Sequence, residues 1–152
     1  MNITHEVGGI GEARVLFEAV KRGYTVSIPH GHDSRYDMIV DMHGELNRVQ
    51  VKTTNSDGKV VSLRAGTIGR LNGNVISKRY TAAQIDWLVV YDITTDRCAF
   101  VPASELGTGM YELRLRFEPT KNSQSRNVRW FKDYEQWESS SMVEHCADNA
   151  ET

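Results

Sequence analysis

The chain has 152 residues, of which 39% are hydrophobic and 25% are charged, and this composition is typical of a globular protein with one domain. No apolar run approaches the roughly 20 residues that cross a bilayer, so no membrane partner is expected. The first residues, MNITHEVGG, lack the basic and apolar segments of a secretory signal. Cys98 and Cys146 form neither a metal motif nor a disulfide framework, so we expect an intracellular, cytoplasmic protein.

The formal net charge of −2 is unevenly distributed along the chain. Residues 133–152 contain six acidic residues and no lysine or arginine, which leaves 18 basic against 14 acidic residues, or +4, in residues 1–132. This distribution mildly favours a nucleic-acid partner. The chain beyond Trp137 is serine-rich, acidic and aperiodic, so we expect a folded domain over 1–137 and a disordered tail over 138–152.

Residues 8–22, GGIGEARVLFEAVKR, predict an amphipathic helix that Gly23 ends. Its apolar stripe consists of Ile10, Ala13, Leu16, Phe17 and Val20. We expect this stripe to face a sheet. Glu12 lies at the edge of the stripe and is therefore expected to lean toward that sheet. The alternative for Glu12 is an exposed acid at the helix start, favoured by the helix dipole.

After a strand over residues 24–28, the segment 34–53 predicts two short strands joined by a hairpin loop of four or five residues around His43-Gly44-Glu45. Side chains alternate along a strand, so Gln50 and Lys52 share one face while Val49 and Val51 point into the core. Asp37 lies on the first strand, so folding the hairpin brings an acid, an amide and an ammonium together.

An oxygen-rich cluster beside a lysine is what a magnesium-dependent phosphodiesterase needs. The alternative interpretation is an ordinary half-exposed strand, because polar and valine residues alternate there as well.

A strand over 59–65 and a glycine- and asparagine-rich segment over 66–79, which we expect to be a mobile loop, follow the hairpin. This part of the chain contains five basic residues and no acid: Lys59, Arg64, Arg70, Lys78 and Arg79. Such a run predicts a phosphate-binding surface, although a solvated basic surface gives the same pattern.

The remaining segments alternate between short strands and short helical turns. The continuous apolar run Trp87–Tyr91 predicts a central strand buried on both faces. Residues 97–101 predict its hairpin partner, and 111–117 predict a strand that carries Arg114 and Arg116 on one face. These two arginines could read a DNA groove or form a solvated face, with neither interpretation favoured. Short helical elements are expected over 81–85, 102–106 and 131–137.

The order helix with Glu12, strand, Asp37, hairpin and Gln50-Val51-Lys52 resembles the PD-(D/E)XK nuclease superfamily. Tyr36-Asp37 stands where that family has Pro-Asp, and Gln50 stands where most members have Asp or Glu. The resemblance implies an α/β, restriction-endonuclease-like α-β-β-β core whose central mixed sheet is flanked by helices.

Two branches of the family are similar to this chain. The small branch typified by cyanobacterial intron-encoded homing endonucleases is similar over almost the whole folded part. That similarity includes Gly11-Glu12-Ala13, the Gln50-Val51-Lys52 variant, Ile85-Asp86-Trp87, Val90-Tyr91-Asp92, Leu113-Arg114-Leu115, Lys121–Gln124 and Val128-Arg129-Trp130. The archaeal Holliday-junction resolvases are similar only over residues 8–54, where Ser34 matches a serine that they place before their aspartate and is included among the DNA-binding candidates.

The resemblance implies that Asp37, the Gln50 side-chain oxygen and the Val51 carbonyl bind Mg²⁺, for which Mn²⁺ substitutes, with Glu12 as a further ligand directly or through water. Lys52 would orient or polarise the attacking water. The implied activity is homing-endonuclease-like cleavage of duplex DNA by a homo-oligomer, a dimer or tetramer, in a nucleoid-associated or phage- or mobile-element-encoded protein. The alternatives are a structure-selective Holliday-junction resolvase and a non-catalytic DNA-binding module on the same fold.

Overall fold

The computed structural model describes residues 3–31, 33–122 and 126–138. The predicted acidic tail lies outside the described residues from position 139 onward. The described helix and strands are α1 Ile3–Lys21, β1 Thr25–Ser27, β2 Met38–Met42, β3 Glu45–Thr54, β4 Val60–Arg64, β5 Gly66–Leu71, β6 Asn74–Arg79, β7 Trp87–Asp92, β8 Arg97–Pro102 and β9 Glu112–Arg116. Two 3₁₀ helices, Ala103–Leu106 and Phe131–Tyr134, complete these elements. No helix in the described part is both long and apolar enough to cross a membrane.

A five-stranded mixed sheet with the order β1-β2-β3-β7-β8 forms the centre of the molecule. β3 and β7 run parallel, while the other neighbouring pairs in this sheet run antiparallel. Two smaller antiparallel pairs, β4-β9 and β5-β6, lie beside it. The prediction of an α/β fold with a central mixed sheet and an α-β-β-β start is therefore confirmed.

The central sheet has a core on each face. On one face, the valines and methionines of β2 and β3 pack against Val15 and Ala19 of α1. On the other face, Leu88 and Val90 pack against side chains of β4 and β9 and against Phe131. β7 is buried along its whole length, as its continuous apolar run predicts.

Helix α1 turns a different face to the sheet than its apolar stripe predicts. Gly11, Val15 and Ala19 are buried, and Glu18 beside them is buried in ion pairs with Arg14 and Arg22. The predicted stripe is instead exposed on the opposite side of the helix, so that prediction is wrong. Small side chains allow α1 to approach the sheet closely, and this close contact determines which of its two apolar faces is buried.

The closest approach of α1 to the sheet is at Gly11. A Cβ atom at this position would lie 1.8 Å from Thr53 Oγ1 and 3.1 Å from Thr53 Cβ. Only glycine leaves room for the strand side chain here. Because Glu12 follows Gly11 directly, this contact also sets the position of Glu12 relative to β3.

Residues 66–79, expected to be a mobile loop, form the β5-β6 hairpin, so the loop prediction is wrong. Its turn is Asn72-Gly73, with φ angles of 52° and 82°, and positive φ at both residues is what a two-residue turn between twisted strands requires. The β2-β3 turn at His43 and Gly44 has the same character, with φ of 55° and 99°, and is shorter than the four or five residues predicted.

Two aspartates tie β3 to its neighbours at either end of the parallel pair. Asp86 pairs with Arg48, with its Oδ2 3.0 Å from Nε, and accepts the Arg48 amide at 2.7 Å. Asp92 is fully buried and accepts hydrogen bonds from the hydroxyls of Thr54 and Ser56 and from the Ser56 amide. The polar residues within the Ile85–Asp92 stretch therefore fix the register of the strand that carries the candidate site.

Candidate active site

Asp37 lies one residue before β2, and its side chain is held against β3. Its backbone N–H donates to the Val49 carbonyl at 2.8 Å, and its Oδ2 accepts the Val51 N–H at 2.8 Å. The side chain is partly buried, and burial raises the pKa of its carboxyl, while the Val51 hydrogen bond and the nearby Lys52 charge act in the opposite direction. The acid that the sequence places on the hairpin thus contacts the Gln50-Val51-Lys52 strand directly.

The side-chain amide of Gln50, on β3, lies beside the carbonyl of the next residue, Val51. Its Nε2 is 3.3 Å from the Val51 oxygen. An amide presents its oxygen in place of its nitrogen after a half turn of the terminal torsion, since the two ends have almost the same shape. In that orientation, the Gln50 oxygen and the Val51 carbonyl would be neighbours, which is the arrangement that a shared cation needs.

Lys52 points to the same face as Gln50, as alternation predicts. Its Nζ donates to the Gly66 carbonyl at 3.3 Å and lies 5.5 Å from the centroid of the Tyr80 ring. Burial lowers the pKa of Lys52 and the Arg35 charge lowers it further, whereas Asp37 raises it. A desolvated ammonium next to a carboxylate is suited to orienting water or to balancing charge on a phosphate.

Glu12 of α1 lies close enough to this cluster for the charge of Asp37 to act on it. Partial desolvation raises the pKa of its carboxyl, and the negative charge of Asp37 raises it further. Glu12 lies on α1 between the buried face and the exposed stripe, so its lean toward the sheet stays a prediction, and the apolar stripe from which it was expected does not face the sheet. The side chain remains exposed, which leaves its oxygens accessible.

The donor groups of this cluster suit a hard divalent cation. In the described ranges, no three His, Cys, Asp or Glu side chains cluster closely enough to form a metal site by themselves. A cation here would therefore rely on two carboxylates, Asp37 and Glu12, together with the oxygens of Gln50 and Val51. The charge of Asp37 raises the pKa of Glu12, and a dication bound between them would relieve that repulsion.

Arg35 is a residue of this region that the sequence interpretation missed. Its guanidinium donates to Thr67 Oγ1 at 2.8 Å and to Gln84 Oε1 at 3.3 Å. The guanidinium carbon lies 4.7 Å from the centroid of the Tyr80 ring. Arg35 therefore links the β5-β6 hairpin to the loop that carries Asp37. Its position two residues before Asp37 was the available signal, because alternate residues of an extended segment share a side.

The basic candidates fall into three places. Arg64 lines a cleft of about 520 Å³ that reaches Lys52 and Ser62, and Lys59 is exposed just before β4. Ser34, Arg70 and Lys78 line a second groove, of about 400 Å³, between the loop before β2 and the β5-β6 hairpin.

The third place is Tyr111 and the outer surface of β9, which follows it. Arg79 lies over the ring of Tyr111, with its guanidinium carbon 5.7 Å from the ring centroid, and Arg64 from the first cleft lies over the same ring at 5.3 Å. Arg114 and Arg116 lie on the face of β9 opposite the buried leucines and line a groove of about 290 Å³, as strand alternation predicts. Arg114 lies 3.4 Å from Glu112, a mostly exposed pair that contributes little to stability.

Comparisons with known proteins agree with this architecture. The family model of the PD-(D/E)XK endonucleases matches residues 2–137. Protein 5.3 of Escherichia phage T7 is 35% identical over 74 residues, which cover 46% of this chain and 63% of that protein's length. The solved structure of the bacterial homing endonuclease I-Ssp6803I has a TM-score of 0.72 and 21% sequence identity, and the match covers 99% of this chain and all of that one. The resemblance predicted from the sequence is confirmed, and the chain belongs to the PD-(D/E)XK endonuclease family.

Proposed function

We propose that this protein is a divalent-metal-dependent DNA endonuclease that hydrolyses phosphodiester bonds in duplex DNA as a homo-oligomer. The observation that carries the proposal is the hydrogen bond from the Val51 amide to Asp37, with Lys52 next along the same strand. This hydrogen bond supports a common site for the acid of one strand and the amide and ammonium of the next.

In the proposed mechanism, the cation would be held by Asp37, Gln50, the Val51 carbonyl and Glu12. Mg²⁺ bound there, or Mn²⁺ in its place, supplies positive charge to the scissile phosphate. Gln50 contributes no charge, unlike the acid usual at this position, so the site relies on Glu12 and on substrate phosphate oxygens for tight binding.

Lys52 orients the water that attacks phosphorus in line with the leaving 3′ oxygen. As the new P–O bond forms, the water gives up a proton to solvent and the bond from phosphorus to the 3′ oxygen breaks. The 3′ oxygen takes up a proton from solvent, which gives 5′-phosphate and 3′-hydroxyl ends. The Lys52 ammonium also offsets the charge that develops on the phosphate, and its burial strengthens this effect because few waters compete.

DNA would lie along the surface that carries Arg64, Arg70, Lys78 and Arg79. Support for this path comes from the cleft between Lys52 and Arg64. A β-hairpin such as β5-β6 has the dimensions that enter a major groove. One domain of this size contacts only a short stretch of DNA. We therefore propose that a dimer or tetramer makes a double-strand cut, with one active site acting on each strand.

An intracellular role in a phage or mobile element is part of the same proposal. The similarity to a phage T7 protein supports that setting.

The direct test is incubation of the purified protein with long natural duplex DNA, a randomised duplex pool and a four-way junction, each with Mg²⁺ and with EDTA. We expect cleavage of duplex DNA with Mg²⁺ only, with sequence mapping of the ends giving a preferred site. Cleavage confined to the junction would identify a resolvase, and DNA binding without cleavage under any condition would identify a non-catalytic module.

A further inference from the structure

The outward face of α1 carries an apolar stripe that the described part of the chain leaves exposed. The exposed fractions are 51% for Ile10, 39% for Leu16, 57% for Phe17 and 60% for Val20. Ala13 is also exposed and lies between them. Single exposed apolar residues are common, but a contiguous stripe along a helix marks an interaction surface. We call these five residues the outward stripe.

The spacing of the outward stripe is that of a helix–helix contact. Ile10, Ala13, Phe17 and Val20 follow the alternating three- and four-residue steps of a heptad seam, with Leu16 flanking them. α1 has 19 residues and is therefore about 28 Å long, enough for a continuous contact along four positions. A partner for this face is accordingly another helix that presents a matching row.

We propose that the partner is α1 of a second copy of this chain, packed antiparallel about a two-fold axis. That pairing places Ala13 beside the partner's Phe17 and Ile10 beside the partner's Val20. The small side chain then lies opposite the large one, on both sides of the axis, which is the self-complementarity that a symmetric interface requires. DNA is a poor occupant for this face, because its five members are apolar and offer no cation to phosphate.

The charges at the two ends of α1 fit the same arrangement. The first turn carries Glu6 and the last turn carries Lys21, so antiparallel packing brings Glu6 toward the partner's Lys21 at both ends. Antiparallel packing also places the positive end of each helix dipole beside the negative end of the other, which is electrostatically favourable.

One helix pair is a small interface, so we expect a dissociation constant on the order of 10 μM for the free protein. This inference deepens the proposed function, since it names the contact of the proposed oligomer. It is tested without DNA or metal, so its failure and the failure of the proposed cleavage remain distinguishable.

The test is sedimentation velocity of the full chain up to about 200 μM, well above that dissociation constant. We expect concentration-dependent dimers of the wild type and monomers of Phe17→Glu throughout. The matched control is Val75→Glu, which changes a residue that is 64% exposed on β6 and should dimerise like the wild type. Because Phe17 is itself exposed, Phe17→Glu should keep its circular dichroism spectrum and melting temperature at low concentration.

The antiparallel direction has its own test in a charge exchange. Glu6→Lys should weaken the dimer severalfold, and Glu6→Lys combined with Lys21→Glu should restore it. A wild type that stays monomeric at about 200 μM overturns the proposal, as does a Phe17→Glu variant that dimerises normally. If the wild type is monomeric and dimerises only after truncation at residue 138, residues 139–152 cover the outward stripe in the full chain. That result would also overturn the proposal.

Discussion

The contact between α1 and β3 at Gly11 gives the sharpest mutational prediction. In Gly11→Ala, the new methyl group would lie 1.8 Å from Thr53 Oγ1, whereas ordinary contacts begin at about 3.4 Å, so the two groups must separate by about 1.6 Å. Rotation of Thr53 relieves only part of the clash, because its Cβ is 3.1 Å from the new atom. Overpacking of this kind costs about 1–3 kcal/mol, or roughly 5 °C in melting temperature for a chain of this size.

The same displacement should shift Glu12, the next residue, relative to Asp37. A shift of about 1 Å in a catalytic group costs on the order of 100-fold in rate, so cleavage should fall more than stability alone explains. Thermal denaturation and single-turnover DNA cleavage measure the two effects separately. Gly8→Ala is the matched control, because a methyl group there meets nothing within 4 Å and should stabilise the helix by ~0.5–1 kcal/mol.

Rescue distinguishes a local clash from a general loss of stability. Thr53→Ala removes the atom that clashes most severely, so the double variant Gly11→Ala/Thr53→Ala should recover most of the lost stability and rate. If Gly11→Ala melts as high as Gly8→Ala and cleaves DNA normally, the close packing of α1 on β3 is wrong.

Three further predictions concern single side chains. Asp37→Asn should raise the melting temperature of the metal-free protein by a few degrees at neutral pH, because burial raises the Asp37 pKa and the charged form is the destabilised one. This gain in melting temperature should fade as the pH falls from the raised pKa of Asp37 to the ordinary carboxyl pKa. Below that pH the wild-type carboxyl is protonated in both the folded and the unfolded protein. An unchanged gain at low pH would contradict this reasoning. Asp92→Ala should cost about 2–4 kcal/mol in urea unfolding, because it removes a buried carboxylate and leaves the partly buried donors of Thr54 and Ser56 without their acceptor. Burial acts to raise the Asp92 pKa, but its hydrogen bonds outweigh burial and lower it. Its stabilisation is therefore present above the ordinary carboxyl pKa and lost as the pH falls through the lowered one. Arg35→Lys keeps the charge but loses the forked contacts to Thr67 and Gln84, so it should lower kcat about tenfold or more while DNA affinity changes little, and a loss confined to affinity would refute a positioning role.

Local periodicity was enough to predict the strand at the centre of the candidate site. Alternation along β3 correctly placed Gln50 and Lys52 on one face and Val49 and Val51 in the core, because the faces of a strand depend only on sequence spacing. The continuous apolar run of β7 likewise predicted burial on both faces. Asp37 could be placed near this strand because a hairpin connects them over a short distance.

The orientation of α1 could not be predicted in the same way. The helix is apolar on two sides, and the larger residues of the outward stripe give the stronger signal. The buried side is decided by Gly11 against Thr53, a contact between segments 42 residues apart, which no local pattern contains.

The β5-β6 hairpin was missed for a different reason. Its glycines and asparagines suggested a loop, but Asn72-Gly73 is the dipeptide that a two-residue hairpin turn prefers. Arg35 depends on that hairpin, since it bonds to Thr67 on β5, so missing the hairpin also hid the arginine's role.

The most direct test of the proposed site is the separation of DNA binding from DNA cleavage in Asp37→Asn. Binding of duplex DNA would be measured by fluorescence anisotropy in Ca²⁺, and cleavage would be measured in Mg²⁺ under single-turnover conditions, for the wild type, Asp37→Asn and Lys52→Ala. The proposed site predicts affinities within about threefold of the wild type and cleavage reduced by at least ~1,000-fold in both variants. Cleavage by Asp37→Asn at the wild-type rate would contradict it.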